Sequence, residues 1–251
     1  MTLLLDIGNT HTHAALADGE RYLWQADVPT RLWGDGKAGG ELARLCGRNI
    51  PEAAAICSVV PGVTPLARQF LRRQWGVCAK VLSARTLRGV GLDYPRPETI
   101  GADRLANAIA VRHHYGVPAI VVDFGTAVTL DVVDGRGNYI GGVIAPGLSA
   151  MTDYLHERTA LLPRIRIRPV DAVVGRSTEE AMLIGAVHGY RGMIRELLGR
   201  LQRKFKSRHL KVVATGGYAQ LIASGMPEIE YLAPLLTLEG LRLWLEKVTS
   251  E

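Results

Sequence analysis

The hydrophobic and polar positions divide the chain into two halves that begin in the same way. In each half, short apolar or alternating runs predict three consecutive strands that are separated by glycine-containing turns. The predicted strands are residues 3–7, 12–17 and 22–28 in the first half, and residues 120–123, 126–133 and 139–144 in the second. Asp-Gly pairs between the second and third strands suit tight hairpin turns. The pattern therefore predicts a three-stranded meander at the start of each half.

After each meander, the periodicity becomes that of helices alternating with strands. In the first half, an apolar strand is predicted at residues 54–60, an amphipathic helix at 65–75 and a short strand at 79–82. In the second half, apolar residues at helical intervals predict one long helix over residues 179–202. A strand at 211–214 and a final helix at 236–248 follow. Strands that alternate with helices indicate the α/β class.

The repeated pattern indicates a duplication. Asp6 and Asp123 occupy the same place in the two meanders and lie 123 − 6 = 117 residues apart. A helix-ending stretch that contains Gly116 and Pro118 precedes the second meander. We therefore predict two similar α/β domains that face one another, an N-terminal domain of residues 1–116 and a C-terminal domain of residues 117–251.

Composition is that of a soluble globular protein. Of the 251 residues, 47% are hydrophobic and 22% are charged, which excludes an intrinsically disordered chain. No apolar run is long enough to cross a bilayer, and no basic region precedes an apolar segment at the N-terminus, so neither a membrane partner nor secretion is expected. Three cysteines without a CxxC pair are expected to be reduced core thiols of a cytoplasmic protein.

The formal charge of +6 is concentrated in one segment. Residues 195–211 contain seven Lys or Arg residues and one Glu. A surface that binds nucleic acid carries such a charge, but so does a solvated helix face followed by a loop. Because no zinc-finger spacing, RNP-type aromatic pattern or clear helix-turn-helix accompanies the segment, we favour the solvated face and expect no nucleic-acid partner.

A short motif recurs where the first strand of each meander ends. It reads DIGNT from Asp6 and DFGTA from Asp123. Glycine permits a sharp turn between two strands and leaves backbone N–H groups uncovered, and successive N–H groups in such a turn form a concavity that binds anions. A carboxylate beside the turn suits a bound cation. Two copies that lie half a chain apart predict a site for phosphate and its cations.

A third glycine turn follows the predicted strand at residues 211–214. The stretch VVATGG, from Val212 to Gly217, could bring a nucleoside close to the backbone, although an ordinary strand-to-helix turn has the same form. The chain contains no GxxxxGK[ST], and no GxGxxG follows a predicted strand. A P-loop and a Rossmann cofactor site are therefore both unsupported.

Taken together, these motifs resemble those of a known family. The two Asp-Gly hairpins and the Gly-Gly turn resemble the acetate and sugar kinase, actin and heat-shock chaperone superfamily. The segments DIGNT, GADR, DFGTAVT, GGVIAPG and ATGG look like those of type III pantothenate kinases, nearly end to end. The resemblance implies two duplicated ribonuclease H-like domains with an interdomain nucleotide cleft. It also implies a homodimer that transfers phosphate from ATP to pantothenate at the start of coenzyme A synthesis.

The resemblance also implies roles for individual residues. Mg²⁺ is expected on Asp6, a monovalent cation (K⁺ or NH₄⁺) on Asp123, and the general base at Asp103. Contacts to ATP are expected from Asp6, Ile7, Gly8, Asn9, Thr10, His11, Thr12, His13, Thr126, Gly216 and Gly217. Contacts to pantothenate are expected from Tyr94, Gly101, Ala102, Asp103, Arg104 and Thr178.

Two of these positions complicate the assignment. Asp103 is predicted to begin a helix, whose dipole would lower the pKa of its carboxyl and weaken it as a base. Phosphoryl transfer tolerates a weak base, because its loose transition state needs little early proton transfer. His13 is an unexpected imidazole beside a polyphosphate, and a positive charge there would reduce the need for a cation at Asp123.

Three other functions are consistent with parts of the sequence. A kinase for another small hydroxylated acid or sugar has similar motifs, but the chain lacks the insertions that longer sugar kinases place around their pockets. A nucleic-acid-binding accessory protein would use residues 195–211. An actin-like structural ATPase would share the fold and form filaments with ATP.

Overall fold

The computed structural model describes residues 1–205 and 209–250, which form two compact units. The first unit comprises Met1–His114 and Leu235–Glu251, and the second comprises Tyr115–Pro234. The sequence predicts domains of residues 1–116 and 117–251, so the boundary between the halves differs by two residues. The residues from Leu235 onwards are expected in the C-terminal domain, but they belong to the first unit.

A mixed sheet forms the centre of the first unit. Its strands are β1 (Thr2–Ile7), β2 (His11–Asp18), β3 (Arg21–Pro29), β4 (Ala53–Ser58) and β5 (Lys80–Val81), and their order is β3-β2-β1-β4-β5. β2 pairs antiparallel with both β1 and β3. β4 pairs parallel with both β1 and β5. The predicted meander of residues 3–28 is therefore confirmed.

Helices pack against this sheet. They are α1 (Lys37–Cys46), α2 (Thr64–Trp75), α3 (Ala102–His114) and the C-terminal helix α8 (Leu236–Ser250). Two 3-10 turns at Thr30–Trp33 and Pro97–Thr99 and a two-residue strand β6 at Gly91–Leu92 complete the unit. Apolar side chains of β1, β2 and β4 form one core with α1 and α2. α3 contacts the sheet at β4, and α8 contacts it at β1, β2 and β4.

The C-terminal helix belongs to the first unit because it packs along α3. The hydroxyl of Thr237 donates a buried hydrogen bond to the side-chain oxygen of Asn107 at 2.8 Å. Gly240 lies so close to α3 that a Cβ there would overlap the carbonyl oxygen of Ala106. Trp244 is 1% exposed. The sequence shows that this helix is amphipathic, but periodicity does not show which sheet it covers.

The second unit repeats the arrangement of the first. Its strands are β7 (Ala119–Phe124), β8 (Ala127–Val133), β9 (Asn138–Pro146), β10 (Lys211–Thr215) and β11 (Tyr231–Leu232). They are ordered β9-β8-β7-β10-β11. β8 pairs antiparallel with β7 and β9, and β10 pairs parallel with β7 and β11. Order and direction match those of the first sheet, which confirms the duplication.

The duplication extends to the pairing register of the meanders. In the first sheet, the register between β2 and β3 shifts between Leu16 and Ala17. In the second, the register between β8 and β9 shifts between Val132 and Val133. The two irregularities lie 132 − 16 = 116 residues apart, at equivalent points of equivalent strands. Such irregularities bend a strand and increase its local twist, so both meanders curve at the same place.

The helices of the second unit are α4 (Leu148–Arg158), α5 (Thr178–Ile184), α6 (Tyr190–Phe205) and α7 (Ala219–Ala223). The single helix predicted over residues 179–202 is wrong in one respect, because a π turn at Gly185–Gly189 separates α5 from α6. A π turn adds a residue to the helical path. After it, Ile194 and Leu198 are fully buried, whereas the preceding residues Met193 and Leu197 are only partly buried.

The hydrophobic pattern also missed α1. This helix contains two consecutive glycines, Gly39 and Gly40, which lower its intrinsic helix propensity. Tertiary packing explains why it forms. A Cβ on Gly39 would lie 2.5 Å from the ring of Phe70 on α2, so the absence of a side chain permits close contact between the two helices.

Within residues 1–205 and 209–250, no helix is both long and apolar enough to span a bilayer. Cys46 and Cys57 are buried free thiols, as expected, but Cys78 is exposed. Cys78 is therefore not the core residue that the composition suggested.

Candidate active site

The first phosphate motif forms the turn between β1 and β2. The N–H of Gly8 donates to the carbonyl oxygen of His11 at 3.0 Å and closes the turn. A Cβ on Gly8 would lie only 3.0 Å from the same oxygen, so the turn favours glycine. Asn9 and Thr10 at the tip are exposed. The turn therefore presents backbone and small polar groups to solvent, as anion binding requires.

The other side chains of the first motif divide between core and solvent. Ile7 and Thr12 are fully buried, so only their backbone atoms can face a ligand. His11 and His13 are exposed on the same face of β2. Nδ1 of His13 lies 2.5 Å from Oδ1 of Asp27, which is directly opposite on β3. A protonated His13 is neutralised by Asp27, which argues against His13 as the substitute for a cation.

Asp6 and Asp103 both approach one buried thiol. Asp6 is the partner of Cys57 in the parallel pairing of β1 with β4, and the thiol donates to Oδ1 of Asp6 at 3.3 Å. Burial raises the pKa of the Cys57 thiol well above its usual value, and the carboxylates of Asp6 and Asp103 raise that pKa further. The thiol therefore stays protonated and can donate to Asp6, and carboxylates from two different elements act on it electrostatically.

Asp103 lies in the first turn of α3. Its Oδ1 accepts a hydrogen bond from the N–H of Arg104 at 2.8 Å. A Cβ on Gly101 would overlap that oxygen and would lie 3.3 Å from a methyl group of Val59, directly after β4. The glycine of the GADR segment thus allows the start of α3 and its carboxylate to lie close to the end of β4.

The pKa of Asp103 shifts in the direction opposite to the one expected from the helix dipole. Burial raises the pKa of the carboxyl above its ordinary value, although the N–H and the guanidinium of Arg104 lower it. Removal of the carboxylate from water therefore outweighs the favourable dipole and hydrogen bond. The expectation that the helix dipole weakens Asp103 as a base is therefore wrong, because a carboxylate with a raised pKa is a stronger base than an ordinary aspartate.

The other residues expected to contact pantothenate in this unit flank Asp103 in the sequence. Tyr94 lies between β6 and the Pro97–Thr99 turn, and Arg104 follows Asp103 on α3; both are half-buried. Ala102 is 7% exposed. The residues from Gly101 to Arg104 are therefore consecutive at the start of α3, where Gly101 lies close to Val59, directly after β4.

The second motif forms an equivalent turn in the second unit. The N–H of Gly125 donates to the carbonyl oxygen of Ala127 at 3.1 Å, so this turn is one residue tighter than the first. Asp123 is the partner of Thr215 on β10, just as Asp6 is the partner of Cys57 on β4. The two carboxylates therefore occupy the same position in the two repeated sheets.

The Gly-Gly turn lies beside Asp123. Gly216 adopts φ of 90°, and a Cβ there would lie 2.6 Å from Oδ1 of Asp123. Both the positive φ and the close approach restrict this position to glycine. Thr126 and Gly217 are exposed. Asp123, Thr126 and the two glycines are thus brought to the same end of the second sheet.

Thr178, the last of the residues expected to contact pantothenate, is the first residue of α5 in the second unit. The hydroxyl of Ser177 accepts from the N–H of Glu180 at 3.1 Å, and the Glu180 carboxylate accepts from the N–H of Arg176, so the helix begins with reciprocal capping. Thr178 is exposed and borders a groove of about 390 Å³ between α4 and α5. The groove is mainly apolar; its lining includes Met151, Leu155, Leu162 and Met182.

Sequence analysis missed three residues that hold the first turn. Cys57 bonds Asp6, while Thr30 and Trp33 connect the turn to the 3-10 segment after β3. None of the three belongs to the motifs identified in the sequence. One signal was available, since Thr30 and Gly147 lie 147 − 30 = 117 residues apart, the same spacing as the two motif aspartates.

Known proteins that resemble this chain identify its family. The model of the type III pantothenate kinase family matches residues 2–200. The chain belongs to this family. A type III pantothenate kinase from Akkermansia muciniphila is 46% identical over 242 residues, which cover 96% of this chain and 96% of the relative. A protein of the same name from Methylacidiphilum infernorum is 41% identical over 245 residues, covering 96% and 86% of the two chains.

Solved structures show that this pantothenate kinase family member has the expected fold. A Campylobacter jejuni protein assigned to the Baf family of transcriptional activators has a TM-score of 0.59 and 19% identity, with 99% and 100% of the two chains covered. A Porphyromonas gingivalis protein assigned as an N-acetylglucosamine kinase has a TM-score of 0.51 and 11% identity, with 98% and 99% covered. Together with the repeated sheets, these likenesses show the duplicated ribonuclease H-like fold of actin and sugar kinases.

Of the five Lys and Arg residues that the structure describes in the segment 195–211 of this family member, three lie beside carboxylates. Arg195 lies 2.6 Å from Glu228, Arg200 lies 2.6 Å from Glu196, and Lys211 lies 3.4 Å from Glu230. Residues 206–208 of the segment lie outside the described residues. Internal pairing of the described part favours the solvated face over a nucleic-acid surface, because paired cations have less charge to offer to phosphates.

Proposed function

We propose that the protein transfers the terminal phosphate of ATP to pantothenate and forms 4′-phosphopantothenate at the start of coenzyme A synthesis. Membership of the type III pantothenate kinase family supports this substrate pair. Two contacts support the site assignment: the Cys57 thiol of β4 donates to Asp6, and the close packing at Gly101 brings the Asp103 carboxylate near Val59, directly after β4. A phosphoryl transferase needs one carboxylate for the metal and another for the attacking hydroxyl, and one unit supplies both.

Asp103 is the proposed general base. The pantothenate hydroxyl donates a hydrogen bond to the Asp103 carboxylate, which orients the attacking oxygen and takes its proton as the bond to phosphorus forms. The Arg104 N–H holds one oxygen of this carboxylate, and its raised pKa makes it the better proton acceptor. Little proton transfer is needed early in a loose transition state, so an oriented carboxylate is sufficient.

Arg104 is the proposed partner of the pantothenate carboxylate. A guanidinium can bind a carboxylate through two parallel hydrogen bonds, and this side chain follows directly after the proposed base. Tyr94, Gly101, Ala102 and Thr178 are further proposed contacts to pantothenate, and the family motifs support them. Thr178 belongs to the second unit, where it borders the groove between α4 and α5.

The first turn is the proposed site for the phosphates of ATP, with Asp6 as the ligand of Mg²⁺. Among the described residues, no group of three or more His, Cys, Asp or Glu side chains could hold a metal. A single carboxylate still fits, since Mg²⁺ in kinases is held by one or two carboxylates together with phosphates and water. When bound, Mg²⁺ neutralises charge on the phosphate oxygens. The protein's part is to present the Asp6 carboxylate and the backbone N–H groups of the exposed tip, Asn9 and Thr10.

Asp123 is the proposed ligand of a monovalent cation, K⁺ or NH₄⁺. Its carboxylate lies at the end of β7, and the Gly216 backbone packs closely against it. Pairing of His13 with Asp27 supports this proposal, because the histidine charge is then not available to replace the cation. Thr126, Gly216 and Gly217 are the proposed nucleotide contacts of the second unit.

A homodimer is the proposed assembly. Six large hydrophobic residues within residues 144–174 of the second unit are exposed: Ile144, Tyr154, Leu155, Leu161, Val173 and Val174. Leu161 is 90% exposed. Exposed apolar side chains concentrated in one region are typical of an interface, and a second copy would cover them. Light scattering over a range of protein concentrations tests this assembly directly.

A kinase assay tests the proposed function. Purified protein is incubated with ATP, Mg²⁺ and pantothenate in buffers with and without K⁺ or NH₄⁺, and the product is identified by mass. We expect 4′-phosphopantothenate and an equal amount of ADP. A panel of other small hydroxylated acids and sugars serves as the control for substrate class. Absence of phosphopantothenate under all cation conditions would contradict the proposal, and phosphorylation of another panel member would redirect it.

A further inference from the structure

A chain of buried hydrogen bonds ends on the first phosphate turn. The indole N–H of Trp33 lies 3.0 Å from the hydroxyl oxygen of Thr12, which lies 3.2 Å from the hydroxyl oxygen of Thr30. The Thr30 hydroxyl in turn lies 2.7 Å from the carbonyl oxygen of Gly8. Thr12, Trp33 and Thr30 are 0%, 3% and 4% exposed. Gly8 and Thr12 belong to the segment of residues 6–13 that is expected to contact ATP, whereas Thr30 and Trp33 lie outside it.

The direction of each hydrogen bond in the chain is determined. A carbonyl oxygen can only accept, so Thr30 donates its single hydroxyl proton to Gly8. The Thr30 oxygen must then accept from the Thr12 hydroxyl, and the Thr12 oxygen accepts from the indole N–H, which can only donate. Removal of the Thr30 hydroxyl would leave both the Gly8 carbonyl and the Thr12 hydroxyl without this partner.

These bonds orient the peptide that joins Gly8 to Asn9. Among the described residues, a cis peptide occurs only at Val117–Pro118, so this peptide is trans. The C=O and N–H of a trans peptide point in opposite directions. Because the Gly8 carbonyl is held towards buried Thr30, the N–H of Asn9 is directed away from it, towards the exposed tip. The backbone N–H of Thr30 also donates to the carbonyl oxygen of Thr10 at 3.0 Å, which holds the other end of the tip.

In the second unit, Gly147 occupies the position equivalent to Thr30 and contacts its turn through backbone atoms. Gly147 is 117 residues after Thr30, as Gly125 is 117 residues after Gly8. A Cβ on Gly147 would lie 2.6 Å from the carbonyl oxygen of Gly125 and would overlap that of Thr126. The backbone of Gly147 therefore packs directly on its turn, with no space for a hydroxyl. The first turn is thus held by a threonine hydroxyl, and the second turn by the backbone of Gly147.

We propose that Thr30 is a positioning residue that holds the Gly8–Asn9 peptide with its N–H directed at the phosphates of ATP. This role rests on the proposed function and extends it to a buried residue outside the motifs. Without the Thr30 hydroxyl, the peptide can rotate, and the charge-assisted hydrogen bond from Asn9 to phosphate is lost or weakened. Hydrogen bonds to charged groups contribute about 1.5–3 kcal/mol, which corresponds to an affinity change of roughly 10- to 100-fold.

Thr30→Val and Thr30→Ser form the matched pair of variants. Valine has the shape of threonine without the hydroxyl, whereas serine keeps the hydroxyl and loses a methyl group. For Thr30→Val, we expect the KM for ATP to rise about 10- to 100-fold, with the KM for pantothenate nearly unchanged. The Kd for ATP should rise by a similar factor, and that for adenosine, which has no phosphate, should not. Thr30→Ser should restore most of the affinity for ATP.

Thr237→Val is the control for a purely structural effect. It also deletes a buried threonine hydroxyl with a defined acceptor, Asn107, but on α8. It should lower the melting temperature without a selective effect on ATP. If Thr30→Val does not fold, Thr30→Ala replaces it, because alanine removes the hydroxyl without crowding Thr12.

The outcomes separate this inference from the proposed function. If wild-type protein forms no phosphopantothenate, the proposed function fails. If wild type is active and the hydroxyl-deleted variant keeps its KM for ATP, or loses affinity for ATP and adenosine equally, the role of Thr30 is wrong. A loss confined to ATP and reversed by serine supports it.

Discussion

At the scale of single residues, the decisive property is the environment of Asp103. The carboxyl lies at a helix N-terminus, which favours its charged form, but it is also removed from water, which favours its neutral form. Burial prevails, and the pKa of the carboxyl is raised. The sequence identifies the helix start and hence the dipole, but it does not show how much protein surrounds the carboxyl. That is why the direction of the shift was predicted wrongly.

The raised pKa of Asp103 predicts a pH dependence of the reaction. A general base acts in its deprotonated form, so kcat/KM should fall as the pH decreases through the pKa of Asp103 in the free enzyme. That acid limb should lie above the value of about 3.9 for an unperturbed aspartate. The measurement is kcat/KM for pantothenate across the acidic range, with folding monitored at each pH. An acid limb at or below the ordinary aspartate value would contradict the account.

At the scale of elements, alternation and helical periodicity predicted most strands and helices, because each buries one face. The exceptions have tertiary causes. α1 forms despite two glycines because Gly39 packs on Phe70, and α5 and α6 are separated by a π turn that periodicity cannot reveal. The two repeated motifs predicted that each half has a glycine turn with a carboxylate beside it. They did not predict Thr30, whose role depends on the close approach of a 3-10 turn to the motif.

The packing of α8 on α3 gives a test at this scale. Gly240→Ala places a methyl group against the carbonyl of Ala106, so we expect the free energy of unfolding to fall by about 1–3 kcal/mol. Gly192→Ala on α6 is the matched control, because a Cβ there meets no atom within 4 Å. It should raise the free energy of unfolding by about 0.5–1 kcal/mol through better helix propensity. Denaturant unfolding measures both; equal effects would refute the close contact.

At the scale of the whole molecule, the main feature is a duplication whose halves have diverged. Both units keep the strand order, the register irregularity and a carboxylate at the end of the first strand. The carboxylates now have different neighbours, a thiol beside Asp6 and a glycine turn beside Asp123. The sequence predicted the repeat from its 117-residue spacing. It could not assign α8 to a unit, because that depends on packing between segments more than 120 residues apart in the chain.

This divergence predicts separate effects for the two carboxylates. Asp123→Asn should reduce or abolish any stimulation of activity by K⁺ or NH₄⁺, because the amide has no charge to attract the cation. Asp6→Asn should instead raise the Mg²⁺ concentration needed for half-maximal activity, with the K⁺ response retained. Titration of both ions against both variants measures this. The assignment fails if the two variants respond to both ions in the same way.

Measurement of kcat for Asp103→Asn shows whether Asp103 accepts the proton of the pantothenate hydroxyl. The amide keeps the shape and can still accept the Arg104 N–H. We expect kcat to fall about 10²- to 10⁴-fold, with little change in the Kd for ATP. Above the raised pKa, the substitution also removes a buried charge, so the melting temperature at neutral pH should not fall. A kcat within a few-fold of wild type in a folded variant that binds ATP would contradict the account.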